Sequence, residues 1–69
     1  MTRIFLATPL RNERANLDNL VMSLRAQTVP IDCWVVVENG STDGSKEYLQ
    51  HLRPGGAIRE IVVLNIGTE

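Results

Sequence analysis

Val35-Val36-Val37-Glu38-Asn39-Gly40-Ser41-Thr42-Asp43-Gly44-Ser45 is the stretch on which the fold of this 69-residue chain turns. Three β-branched residues run straight into an acid, an amide and a cluster of turn-forming residues. That is the pattern of a buried strand that stops abruptly at a polar loop. Gly40 and Gly44 admit turn conformations closed to other residues. Ser41, Thr42, Asp43 and Ser45 are good caps for a following helix. Glu38 comes directly after the valines, and its carboxylate is expected to face outward from the strand tip. There it could accept a hydrogen bond from a ribose hydroxyl or a base N–H, with Asn39 beside it offering both donor and acceptor. The plainer reading is a strand-to-helix turn. It is the stronger one for Gly40 through Ser45, and the weaker one for Glu38.

Working outward, Cys33 and Trp34 extend this apolar run backward, and two similar runs flank it: Ile4-Phe5-Leu6-Ala7 and Ile61-Val62-Val63-Leu64. All three are continuous rather than alternating, which predicts strands buried on both faces, as in a parallel sheet covered by helices. Between the first and second runs, Leu17, Leu20, Val21 and Leu24 repeat at i, i+3, i+4 and i+7, while Arg14, Asp18 and Arg25 fall off that stripe. The spacing predicts an amphipathic helix over 12–27 with Asn12 as N-cap, ended by Thr28-Val29-Pro30. A shorter helix, capped by Asp43 or Ser45, is expected to reach about Leu52 with Tyr48, Leu49 and Leu52 inward. Pro54-Gly55-Gly56 then breaks the chain. The order strand, helix, strand, helix, strand gives an α/β fold: a three-stranded parallel sheet with right-handed crossovers, part of a doubly wound layer.

Composition narrows the function classes. Seven basic and eight acidic residues give a net charge of −1 with no clustering, which argues against a nucleic-acid-coating protein. Apolar runs of four or five residues are far short of the ~20 needed to cross a bilayer, and the start lacks the apolar stretch of a signal peptide. We therefore expect a cytoplasmic chain without a membrane span. One cysteine, Cys33, and one histidine, His51, supply neither an intramolecular disulfide nor a Cys/His zinc site. Cys33 reads as a small core residue, His51 as an exposed helix-end residue, and Trp34 as core whose indole N–H needs a partner. Three strands and two helices cannot cover both faces and both edges of a sheet. The 69 residues are thus expected to be a single partial domain of a longer chain. The competing expectation is a non-catalytic module that self-associates as a homo-oligomer through its open sheet edge.

Ligands of open α/β sheets bind outside the carboxyl ends of the strands. That points to the segments Thr8 to Glu13, Glu38 to Ser45 and Asn65 to Glu69. Neither a P-loop nor a dinucleotide-binding glycine pattern is present, and the first segment contains no glycine.

Three segments in register, Ala7-Thr8-Pro9-Leu10-Arg11-Asn12-Glu13, Val36-Val37-Glu38-Asn39-Gly40-Ser41-Thr42-Asp43-Gly44-Ser45 and Leu64-Asn65-Ile66-Gly67, together resemble the inverting glycosyltransferase family with the GT-A fold, often called family 2. The resemblance covers essentially the whole chain. It implies the Rossmann-like, nucleotide-holding half of a GT-A domain, in a parent enzyme that transfers sugar from a nucleotide-diphosphate sugar to an acceptor hydroxyl. By position, Thr8 and Pro9 would line the base pocket and Glu38 would contact uracil or ribose. Asn39 stands in place of the second acid of the family's acidic pair. Arg11 stands where the family commonly has an aromatic residue, and its guanidinium plane could stack on a base or reach a phosphate. The family holds Mg²⁺ or Mn²⁺ on an Asp-x-Asp motif, and no Asp-x-Asp occurs in these residues. No catalytic residue and no metal ligand is therefore assigned here, and the isolated chain is expected to be inactive. A nucleotide-binding regulatory domain without transfer activity is a third reading.

Overall fold

The computed structural model describes residues 3–66 as three strands and two helices in the expected order. They are β1 (Phe5–Leu10), α1 (Arg14–Arg25), β2 (Cys33–Glu38), α2 (Ser45–Gln50) and β3 (Ile61–Asn65). The sheet is fully parallel with β2 in the middle, flanked by β1 and β3. The register sets Leu10 opposite Glu38 and Glu38 opposite Asn65, so the three strands end level. Met1, Thr2, Gly67, Thr68 and Glu69 lie outside the described residues, and with them the end of the third expected loop.

Successive right-handed crossovers between adjacent strands put both helices on the same side of the sheet. The core is built on that side. Leu17, Val21 and Leu24 of α1 and Leu49 of α2 are buried with Trp34 and Val36 of β2. Leu6, Leu20, Tyr48, Leu52, Ile61 and Val63 pack around them. Fully burying one such aliphatic side chain contributes ~1.5–3 kcal/mol. Trp34 is completely buried, and its indole N–H donates to Thr8 Oγ1 at 3.0 Å, so the polar atom that sequence flagged is satisfied.

The opposite face differs from the expected one. Continuous apolar strands predicted burial on both faces, yet among the described residues nothing covers the second. Phe5, Ala7 and Pro9 of β1, Val35 and Val37 of β2, and Val62 and Leu64 of β3 share it by the twofold alternation of strand side chains. Phe5 is 63% exposed and Leu64 46%. Even Val35 and Val37 of the central strand are only half-buried.

Two element boundaries also move. Thr8, Pro9 and Leu10, taken from sequence as loop, are the last three residues of β1 and pair with Val36, Val37 and Glu38. Proline is tolerated there because β1 is an edge strand within this sheet. Helix α1 starts at Arg14 rather than after Asn12, and ends at Arg25. Asn12 is not the N-cap: it adopts a positive φ of 54°, a conformation asparagine tolerates better than most residues. At the other end of the sheet, Asp32 Oδ2 accepts the Ile4 N–H at 2.8 Å, well away from the strand tips.

Candidate functional site at the carboxyl ends of the strands

The loop after β2 and the loop after β1 form one hydrogen-bonded unit. Asn12 N–H donates to Ser41 Oγ at 2.9 Å, and Asn12 Oδ1 accepts the Thr42 N–H at 2.8 Å. Glu13 N–H donates to Ser45 Oγ at 3.2 Å and Arg14 N–H to Asp43 Oδ2 at 2.9 Å. The first turn of a helix has amide groups with no partner inside the helix. In α1 those amides are served by Asp43 and Ser45, which lie about thirty residues further along the chain. Residues 41–45 were expected to cap the helix that follows them. They do this only in part: Asp43 Oδ1 accepts the Ser45 N–H at 3.0 Å and Ser45 Oγ–H at 2.6 Å, while its other oxygen serves α1. The Ser45 hydroxyl bond, partly offset by desolvation and joined by backbone donors, holds the Asp43 carboxyl below its ordinary pKa. Gly40 and Gly44 both have positive φ, 70° and 96°, as the turn requires.

Glu38 does not face outward. Its position, two residues from Val36 and four from Trp34, puts it on the helix side of the sheet, where it is 1% exposed. Its carboxylate turns back along the chain and accepts Ser41 N–H at 2.7 Å and Gly40 N–H at 3.2 Å. Burial pushes this carboxyl up. Hydrogen bonds from Ser41 and Gly40, with the charge of Lys46, more than reverse that and hold it below the ordinary glutamate value. The expected outward carboxylate is thus corrected: Glu38 closes its own turn.

The other expected site residues divide. Thr8 is half-buried with its hydroxyl engaged by Trp34, and Pro9 is exposed beside it. Both line a cleft of about 220 Å³ at the free edge of β1, with Leu10, Glu13, Asn16, Leu17 and Leu20. Asn39 and Arg11 are exposed, with no side-chain partner among the described residues. The backbone of Asn39 is fixed by donation from its N–H to Leu10 O at 3.0 Å. The strand tips therefore present Pro9, Arg11 and Asn39 together, while Thr8 sits one layer in and Glu38 lies beneath the turn. Glu13, which closed the first expected segment without a role of its own, and Asn16, which sequence did not assign to the site, are the polar wall of the edge cleft. Asn16 Nδ2 donates to Glu13 Oε1 at 3.0 Å. Their spacing of three on a helix is the signal that could have placed them on one side.

An apolar parallel sheet that ends level in two interlocked polar loops is the geometry that the three sequence segments had pointed to. The sequence matches the family model described as Glycosyl transferase family 2 over residues 6–66. The chain belongs to glycosyltransferase family 2. No curated protein and no solved structure matches it significantly.

Family membership fixes the class of chemistry, transfer of a glycosyl group, and the parallel βαβαβ arrangement agrees with part of a GT-A, Rossmann-like fold. The divalent cation associated with the family does not fit the residues seen here. Among the described residues no three His, Cys, Asp or Glu side chains converge on a position where they could hold one ion. Asp43, in the loop after β2, already has both oxygens occupied. Nor is any described helix long and apolar enough to cross a membrane.

Proposed function

We propose that this family 2 chain is the donor-nucleotide-binding part of a glycosyltransferase whose sugar comes from a nucleotide-diphosphate sugar. The observation that carries the proposal is the contrast at the strand tips. Nearly every polar side chain of the two loops is consumed in holding the loops together, whereas Asn39 and Arg11 are exposed and unbonded next to Pro9. Side chains held in place by a rigid turn, yet with hydrogen-bonding capacity left over, are suited to reading a ligand.

In this proposal the base lies against Pro9 and the cleft lined by Thr8. Asn39 supplies a donor and an acceptor to the base or ribose. Arg11 stacks on the base or meets a phosphate oxygen. Glu38 takes part indirectly, by fixing the Gly40 and Ser41 amides and thereby the direction of Asn39. Glycosyl transfer also needs a base for the acceptor hydroxyl and a cation or equivalent charge at the diphosphate. This reading assigns neither to the described residues: the isolated chain is proposed to bind without turning over, with Mg²⁺ or Mn²⁺ held by other residues.

Calorimetric titration with UDP, GDP and their sugars tests the reading. At least one nucleotide should bind, and Asn39→Ala and Arg11→Ala should each weaken it by ~1–3 kcal/mol if they make the hydrogen bonds assigned. Absence of binding to any nucleotide, together with a stable oligomer, would favour the second reading, a self-associating module. The uncovered apolar face of the sheet is what keeps that reading in view.

A further inference from the structure

A second concave site lies on the helix layer, running from Gly44 and Arg14 behind the strand-tip loops toward Arg25 and Arg53. The open groove between α1 and α2 has a volume of about 520 Å³ and is lined by Arg14, Arg25, Glu47, Tyr48, His51 and Arg53, with Gly44 and Leu52 completing it. Three of the seven basic residues in the chain meet there, with Glu47 in the lining and Asp18 beside Arg14 and Tyr48 as the neighbouring carboxylates. We propose that this groove binds the phosphoryl group of a small phosphorylated molecule.

The three arginines are not equivalent. Arg14 is already spoken for: it pairs with Asp18 at 3.5 Å and stacks over the Tyr48 ring, 4.4 Å from its centroid. Arg25 and Arg53 have no acidic partner among the described residues. They are nevertheless held in place. Arg25 Nη2 donates to Arg53 O at 2.7 Å, and Arg53 Nη1 to Leu52 O at 3.2 Å and Gln50 O at 3.4 Å. The Gly55-Gly56 turn closes against Arg25 so tightly that a Cβ on Gly56 would lie 2.5 Å from the Arg25 carbonyl oxygen. Arg25 and Arg53 thus border one groove, each anchored to backbone carbonyls with other N–H donors unused.

An anion seated in the groove would have both side chains within its lining. Guanidinium forks match phosphate oxygens two at a time and are weakly hydrated, so phosphate is the anion they suit best. The volume falls in the range of small-molecule sites, ~300–1,000 Å³. Tyr48 and Leu52 supply an apolar wall for the organic part of the ligand. Both helices run opposite to the strands, so Arg25, His51 and Arg53 lie toward the amino ends of the strands. That end of the groove is therefore separate from Pro9, Arg11 and Asn39, the residues of the proposed nucleotide site.

Inorganic pyrophosphate is the probe, added to the full chain and followed by NMR at backbone amides and arginine Nε–H groups. Saturable shifts are expected at Arg25, His51 and Arg53, with affinity lowered about tenfold or more in Arg53→Gln. Arg53→Lys, which restores the charge without the fork, should recover only part. The buried Trp34 reports whether each variant keeps its fold. Shifts that do not saturate, shifts confined to residues 38–43, or an Arg53→Gln protein that binds as tightly as the original would overturn the proposal. A parallel UDP titration read at Asn39 keeps failure here distinct from failure of the nucleotide site.

Discussion

At the scale of single residues, Glu38 is the group whose role changed most. A buried carboxylate that accepts two backbone amides acts as a fixed charge inside the turn. Replacing it with glutamine keeps the shape, removes the charge and weakens both bonds. We expect Glu38→Gln to cost ~1–3 kcal/mol of stability by urea unfolding, with Trp34 fluorescence as the probe. The pH dependence follows from the lowered pKa. A carboxyl whose folded-state pKa lies below its unfolded value of about 4.3 adds stability that is fully present above that pH. It is lost as pH falls through the folded-state value. Asp43, also lowered, acts with the same sign. The unfolding midpoint should therefore fall on acidification below that range, and less steeply in Glu38→Gln. Identical acid profiles for the two proteins would show that Glu38 is not held as described. Its inward direction was in fact legible: Trp34, Val36 and Glu38 alternate, so one face claims all three. Reading the apolar run as buried on both faces obscured that alternation.

Among the elements, helix α1 is where sequence reasoning both succeeded and stopped. The stripe of Leu17, Val21 and Leu24 is buried as its spacing required. The start of the helix was misplaced because its amides are capped from another loop, and no local window contains that information. Ser45 is the pivot, fully buried between Glu13 N–H and Asp43. Ser45→Ala should cost ~1–2 kcal/mol and speed hydrogen exchange at Glu13 and Arg14 while leaving β3 unchanged. Asp43→Asn should produce the same exchange pattern. Uniform loss of protection across the sheet would mean that the two loops are not a separable unit. The end of β1 was missed for another reason: Thr8-Pro9-Leu10 has loop chemistry, and only its pairing with Val36, Val37 and Glu38 makes it strand.

For the whole molecule, the dominant feature is a sheet with one finished face. Phe5, Val35, Val37, Val62 and Leu64 form an apolar surface that water does not favour. The 69-residue chain should associate as its concentration rises, and Phe5→Lys with Leu64→Lys should shift it toward monomer in sedimentation velocity. A wild-type chain that stays monomeric at every concentration would contradict this. The central claim rests on the opposite feature, the polar strand tips of a family 2 glycosyltransferase. Its most direct test is a UDP titration followed by backbone NMR. The account predicts saturable shifts at Arg11, Asn39 and Gly40, with Ile31, Asp32 and Ile58 at the amino end unmoved. No saturable shift at Arg11 and Asn39 with either UDP or GDP would contradict it.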